Sequence, residues 1–450
     1  MFTKFHVHTR EAKPRLVQPV RSGIIDWTGG CIGCVRCVKR ICPQGAYMAR
    51  RPDPLTLQDN LDLSCADCFR CVQSCPERLI QKTINPEYEA LGDSYWTPKI
   101  IDSTWAQATD GRIPVSGAGY GGTFSGPGFD AMWTDMSEIV RPTRDGIHGR
   151  EYISTAIQLG RRHHHLEFDA EGQLVEPSPP HAEIPLPILF MMPRGIEFGP
   201  AVTDAVAKAA QELGTFFLAP AASEIAGDFV PVYEAVPAEW RRVFWLTGGA
   251  ASAEGIREAG KAFPEAVVGL GLEFDDSSVG RVVELTREGA GLIHLAADDH
   301  GRIGSGGESG RFIKEAIREI HLALVAEGLR DQVTLLVSGG VAMAEHVAKA
   351  IICGMDGVVL DWPLLIALGC QYCGECHPQE CPVLINEVEL NWAAQRIINL
   401  VGAWRDQLLE VLGAMGLREV RRLRGEVGRA MFYEDLEAEI FAPLFEGRDQ

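Results

Sequence analysis

Twelve of the thirteen cysteines in this chain fall into three groups of four, and each group has the spacing of an iron–sulfur cluster site. The first group is Cys31, Cys34, Cys37 and Cys42, followed by Pro43. The second is Cys65, Cys68, Cys71 and Cys75, followed by Pro76, and the third is Cys370, Cys373, Cys376 and Cys381, followed by Pro382. A C-x2-C-x2-C run lets three thiolates converge from one turn on three corners of a cubane, and the proline-tagged fourth cysteine supplies the last corner. Zinc sites usually show two separated C-x2-C knuckles instead of a triple run. Disulfides fit poorly with the reducing interior in which the remaining features place the chain. The spacing therefore predicts three [4Fe-4S] clusters and one-electron chemistry.

Two of these runs stand in tandem between Trp27 and Leu79, and there the chain resembles a two-cluster bacterial ferredoxin. In that family the fourth cysteine of each run ligates the other cluster. The resemblance implies one cluster on Cys31, Cys34, Cys37 and Cys75, and a second on Cys65, Cys68, Cys71 and Cys42.

At 450 residues the chain has room for a barrel-sized domain beside such a module. A formal net charge of -19 argues against a nucleic-acid surface, which needs basic patches. Residues 1–15 are mixed charged and polar, so no secretory leader is read there. The longest apolar candidate, 351–368, is interrupted by Asp356, Asp361 and Pro363 and is not a membrane span. The expected location is the cytoplasm.

Along the chain, residues 1–25 read as an extended arm, 26–85 as the ferredoxin-like domain, and 86–109, with Pro86 and Pro98, as a linker. Strand candidates follow at 113–116, 186–191, 215–219, 243–247, 266–270, 292–296, 333–338 and 357–360. Helical patterns at 201–213, 252–262, 278–288, 310–327 and 343–353 separate most of them. Strands alternating with helices predict a parallel α/β architecture, and eight is the number that closes a (β/α)8 TIM-type barrel, here over 110–390. An open doubly wound sheet is the alternative, without a G-x-G-x-x-G to support it. Helical patterns at 392–415 and 434–440 predict a helical tail over 391–450.

The stretch 117–185, read as an excursion from the first strand, combines aromatics (Tyr120, Phe124, Phe129, Trp133) with Asp135, Glu138, Arg141, Arg144, Asp145, His148 and Arg150. Such excursions build or cover barrel active sites, or are solvated insertions. The next-to-last strand ends in Ser338-Gly339-Gly340-Val341, a glycine turn that lets backbone N–H groups approach a phosphate at a helix N-terminus.

Val337-Ser338-Gly339-Gly340, Ala348-Lys349-Ala350, Gly354-Met355-Asp356, 365–370, His377 and Cys381-Pro382-Val383 run as the FMN-binding domain of glutamate synthase does. The resemblance spans roughly 110–435. Joined to a ferredoxin-like module, it resembles the archaeal-type glutamate synthase subunit. It implies FMN bound by Ser116, Gly117, Ala118, Gly119, Ser338, Gly339, Gly340 and Gly357. The implied chemistry is electron flow from the clusters to FMN and reduction of 2-iminoglutarate, formed from 2-oxoglutarate and ammonia, to glutamate. Arg141 and Arg144 are the candidate substrate-carboxylate binders. His300, on an excursion from the sixth strand, is the candidate acid–base residue. In that family the third run holds a three-iron cluster, and Cys370, Cys376 and Cys381 match its ligands. Cys373 adds a fourth thiolate, which favours four irons here.

Four departures accompany the match. The family's glutaminase half, which uses an N-terminal cysteine nucleophile, is not expected here, where Met1-Phe2 opens the chain and its first cysteine falls in a cluster run; ammonia, or a glutaminase and a reductase, are expected from other chains. The lysine the family carries on a barrel strand is missing from 267–271. The family's Gly-Gly-Thr-Gly-Ala loop is replaced by 301–307. Asp361 stands where the family has a small neutral residue near the phosphate. A carboxylate 4 Å from a phosphate charge costs about 4 kcal/mol at an effective dielectric of 20. Asp361 is therefore expected to point away, to pair with a cation such as Arg302, or to mark an altered site. These departures keep open a second reading, an electron-transfer subunit of a larger complex, and a third, a barrel retained as a scaffold. His163-His164-His165 reads as a solvated run more readily than as a metal tract. His294 and His321 lack ligand spacing, and Cys353 reads as packing.

Overall fold

The computed structural model describes residues 5–19, 22–25, 32–34, 36, 40–43, 68–113, 128–134, 153–163, 166–175, 178–304, 310–374, 376, 381–425 and 430–432. The chain forms two compact units. One comprises Pro14–Ile101 with Gln371–Gly374, the other Met1–Lys13, Asp102–Cys370 and Glu375–Gln450. Among the described residues no helix is long and apolar enough to cross a membrane.

The larger unit is a closed barrel of eight strands, all parallel. They are Ile188–Met191 (β1), Phe217–Pro220 (β2), Val230–Tyr233 (β3), Val243–Leu246 (β4), Val267–Glu273 (β5), Leu292–Ala296 (β6), Thr334–Ser338 (β7) and Gly357–Leu360 (β8). Helices Pro200–Leu213, Ala253–Ala262, Ser278–Arg287, Ile313–Ala326 and Ala344–Cys353 follow β1, β4, β5, β6 and β7. Their starts and stops obey local chemistry: Pro200 opens the first at its N-terminal turn, and Gly214 at φ 65° closes it. Ser252 caps the second through Gly255 N–H.

Two corrections to the expected strand list follow. Ile113 lies in coil and 114–116 fall outside the described residues; the eighth barrel strand is instead Val230–Tyr233. Its Val-Pro-Val-Tyr sequence hides it, because proline removes a ladder donor and argues against an interior strand. Residues 117–185 therefore precede the barrel and are not an excursion from its first strand. Their described part includes the antiparallel hairpin Ile157–Gly160 with His181–Ile184. Thr334, the first residue of β7, donates its hydroxyl to the Gln158 and Gly160 carbonyls at 3.0 and 3.1 Å. The hairpin thus closes the N-terminal end of the barrel, opposite the mouth where chemistry is done in this architecture.

Parallel partners in register share a face, and the pairings divide the strands cleanly. One face carries Phe190, Phe244, Leu270, Ile293, Leu335 and Val358, all apolar and buried, as a surface under helices must be. The other carries Trp245, Gly269, Gly271, His294, Leu336 and Ser338 and lines the lumen.

Beneath the barrel, Asp356 is 5% exposed and accepts from Arg330 Nη2 and Leu335 N–H, both at 2.8 Å, and from Arg424 Nη1 at 2.8 Å. Arg424 also donates to Asp331 at 2.6 Å. This cluster fastens the segment after the long C-terminal helix, Leu390–Ala414, to the strand starts. The helix itself carries a buried polar row that binds both the N-terminal arm and a second helix. Arg396 donates to the Ala12 and Trp105 carbonyls at 2.6 and 3.1 Å, and Asn399 to those of Arg10 and Ala108 at 2.7 and 3.0 Å.

The expected linker 86–109 is a correction of another kind. It contains helices Pro86–Glu89 and Pro98–Asp110, and Trp96, Ile101, Trp105 and Ala108 are fully buried. Both prolines sit at helix starts, where the missing N–H is not needed, so they open helices here instead of breaking them.

In the smaller unit, Ser22–Ile25 pairs antiparallel with Gln81–Ile84. That pairing brackets the first two cysteine runs and draws their flanks together. The expected tail helix 434–440 lies outside the described residues.

Candidate functional site at the barrel mouth

The C-terminal ends of β5 to β8 bring together most of the described polar groups that face the lumen. His294, 4% exposed, places Nε2 2.9 Å from Ser338 Oγ, joining β6 to β7. Burial first, and the Arg194 charge second, push this imidazole down to about 3, so it is neutral throughout the working range. Arg194, beyond β1, is ion-paired with Glu273 at the end of β5. Asp361 follows β8, is 8% exposed, and accepts from Trp362 N–H at 2.6 Å. Burial, partly offset by that hydrogen bond and reinforced by Asp299, raises its carboxyl to about 7. Asp361 caps the helix Trp362–Ala367, while Arg302, the cation named for it, is engaged by the Gly310 carbonyl at 2.7 Å.

Gly339 and Gly340 adopt φ of 89° and 67°, which a side chain rarely tolerates. A Cβ on Gly339 would stand 2.3 Å from the Asp298 carbonyl oxygen, and one on Gly340 would stand 2.5 Å from Gly301 Cα. The turn after β7 is thus pressed against the loop after β6, and that loop carries His300. Asp298 shapes it by accepting from the His300 and Arg302 N–H groups at 3.0 and 2.7 Å.

Of the expected site residues, the structure brings His300, Ser338, Gly339 and Gly340 to one place. Ser338 presents its hydroxyl to His294, so a phosphate at the turn would meet the glycine backbone. Gly357 begins β8 at the opposite end, where a Cβ would lie 2.8 Å from the Pro187 carbonyl oxygen and 3.1 Å from Ile157; it is a packing glycine. Ser116, Gly117, Ala118, Gly119, Arg141 and Arg144 lie outside the described residues. Sequence reasoning passed over His294, Trp245 and Arg194. The available signal was parity: His294 is the polar residue in the apolar run 292–296, at the position that faces inward.

Of the cluster cysteines, Cys31, Cys37 and Cys65 lie outside the described residues. None of the described cysteines is in a disulfide. Cys75 Sγ accepts from Leu79 N–H at 3.4 Å, a contact suited to a thiolate. Cys71 and Cys370 are buried, Cys42, Cys75, Cys376 and Cys381 half-buried, and Cys34, Cys68 and Cys373 exposed. Among the described residues no three His, Cys, Asp or Glu side chains gather around a single ion. A cubane spreads its thiolates further apart than one ion does, so that finding bears on a mononuclear metal and not on a cluster. Cys353 is separate: it packs on Met132 Sδ at 3.7 Å, and burial pushes its thiol up to about 12.

Residues 303–418 match the family described as the conserved region in glutamate synthase. The archaeal-type glutamate synthase [NADPH] of Dehalococcoides mccartyi is 24% identical over 88% of this chain and 92% of its own. The archaeal glutamate synthase [NADPH] of Archaeoglobus fulgidus is 25% identical over 90% of this chain and 94% of its own. That of Methanocaldococcus jannaschii reaches 34% over 26% of this chain and 24% of its own. Among solved structures, a mandelate oxidase variant with benzaldehyde is similar at a TM-score of 0.43 and 16% identity, covering 66% of this chain and 86% of that one. With its closed parallel barrel and these relatives, the chain is a glutamate synthase-like oxidoreductase. It is related along most of its length to the archaeal-type glutamate synthases.

Proposed function

We propose that the chain binds FMN at the barrel mouth and iron–sulfur clusters on its three cysteine runs, and that it reduces 2-iminoglutarate, formed from 2-oxoglutarate and ammonia, to glutamate. The observation that carries this reading is the glycine turn Gly339–Gly340, held at the mouth beside the buried His294–Ser338 pair, in a chain related to archaeal-type glutamate synthases. The donor set fits. The turn would offer backbone N–H groups to a phosphate, and Gly271 leaves open lumen wall, a Cβ there meeting nothing nearer than 3.7 Å. Trp245 adds a buried indole N–H with no partner among the described residues.

When bound, FMN would supply two-electron reduction at the substrate, and the clusters would deliver electrons one at a time. The chain's own groups complete the site. Asp361 holds a proton on its carboxyl through part of the neutral range, and His300 stands on the adjoining loop; both are candidates to protonate the developing amine. Arg141 and Arg144 are the proposed carboxylate binders. Ammonia and electrons would reach the site from partner chains, a glutaminase or a reductase. The electron-transfer reading is favoured by the absence of any lysine along β5 and by Asp361 after β8.

Two measurements test the proposal. Anaerobically purified protein should contain about twelve irons per chain by ligand count. It should release one FMN on denaturation, and the reduced protein should form glutamate from 2-oxoglutarate and ammonia. Four irons or fewer, or stoichiometric zinc, removes the cluster assignment. Flavin without glutamate under every donor leaves the electron-transfer reading.

A further inference from the structure

His294 is a polar ring on a buried strand, and burying such a ring is unfavourable unless its nitrogens are used. Its one hydrogen-bond partner among the described residues is Ser338, through Nε2. Nδ1 is left over on a side chain that is more than nine-tenths buried. In the sheet His294 is in register with Gly271 of β5 and Leu336 of β7. Gly271 contributes no side chain, so the imidazole stands beside open lumen wall, with the Thr247 hydroxyl 3.7 Å from where a Gly271 Cβ would be. The Ser338 hydroxyl holds the ring's rotation, and the turn Gly339–Gly340 follows directly. The charged group that acts on it is Arg194, itself ion-paired with Glu273 at the end of β5.

We propose that His294 is the lumen residue that hydrogen-bonds the polar edge of the bound flavin ring, oriented for this by Ser338. This rests on the flavin reading above. It adds a chemical consequence: the contact at that edge is made by an uncharged imidazole and not by a cation. A cation there would stabilise negative charge on the reduced ring and on the adduct formed when sulfite adds its electron pair to oxidised flavin N5. The native site should therefore form that adduct poorly.

The experiment uses the full-length, anaerobically prepared protein with FMN and sulfite as probes. Wild type should quench FMN fluorescence on binding and resist bleaching by sulfite. His294→Ala should weaken FMN binding on the order of tenfold, the loss of one buried hydrogen bond. His294→Gln, which keeps a neutral donor and acceptor, should recover most of it. His294→Lys should bleach at sulfite concentrations at least roughly tenfold lower than wild type. Equal FMN affinity and spectra in wild type, His294→Ala and His294→Gln would overturn the assignment while leaving the flavin reading intact. So would wild type that bleaches as readily as His294→Lys. A wild-type chain that binds no FMN would overturn both.

Discussion

Asp356→Asn should lower the unfolding free energy by about 3–5 kcal/mol, the usual result of removing one member of a buried ion pair. The carboxylate serves two guanidiniums at once. Arg330 is 4% exposed and depends on Asp356 for its charge partner, and Arg424 reaches it from beyond the long helix. Burial alone would raise Asp356, but Arg330 and Arg424 overcome it and hold the group down at about 2. The sign follows from that direction. Unfolded Asp356 takes a proton near its ordinary value of 3.8, whereas the folded group resists until about 2. Its contribution is therefore complete above pH 4 and is lost as pH falls through that window. His321 acts in the same direction at higher pH. Burial, with Arg330 and Arg424, lowers it from 6.5 to about 4, so stability also declines as pH drops through that interval. Chemical denaturation of wild type and Asp356→Asn at pH 7 and pH 3 tests both parts. The difference between the two proteins should shrink at pH 3. A loss below about 1 kcal/mol at pH 7 would mean that the two arginines find other partners.

The barrel was largely legible in the sequence, and for a physical reason. Strands buried on both faces read as short, largely apolar runs, and runs such as 292–296 and 333–338 stand between amphipathic helices. Val230–Tyr233 was not legible because its proline contradicts the ladder chemistry by which strands are recognised, although Pro231 pairs in register with Ala219. The segment 86–109 was misread for the converse reason: Pro98 opens a helix there, and the apolar period of Trp96, Ile101, Trp105 and Ala108 carries the signal that proline obscured. Most of the site stayed hidden. Glycines flag a turn locally, and Ser338 and Asp361 stand out beside it, but that His294 and Arg194 join them from β6 and from beyond β1 follows from barrel closure, which no local pattern encodes. The cluster cysteines are the opposite case. Their chemistry is written in spacing alone, because three of the four ligands in each run come from one turn.

Gly340→Asp should abolish FMN retention while leaving the iron content unchanged. Three effects act together at that position. The backbone stands at φ 67°, where a side chain costs on the order of 1–3 kcal/mol. The new Cβ would meet Gly301 Cα at 2.5 Å and Gly301 N at 2.7 Å, and these are backbone atoms that cannot rotate aside. The added carboxylate would also bring negative charge close to the proposed phosphate, a repulsion of about 4 kcal/mol for each charge pair at 4 Å and an effective dielectric of 20. The first two act on the loop whether or not flavin is present, so the variant should also melt at a lower temperature than wild type. Gly340→Ala separates the contributions. It keeps the strain and overlap but adds no charge, so it should lose the same thermal stability and retain part of its FMN. Flavin released by acid, iron by chelation assay and melting temperature, measured on one preparation of each variant, decide the matter. Full flavin retention in Gly340→Asp would show that the phosphate lies elsewhere. Equal flavin loss in both variants would show that the turn's shape, not its charge, governs binding.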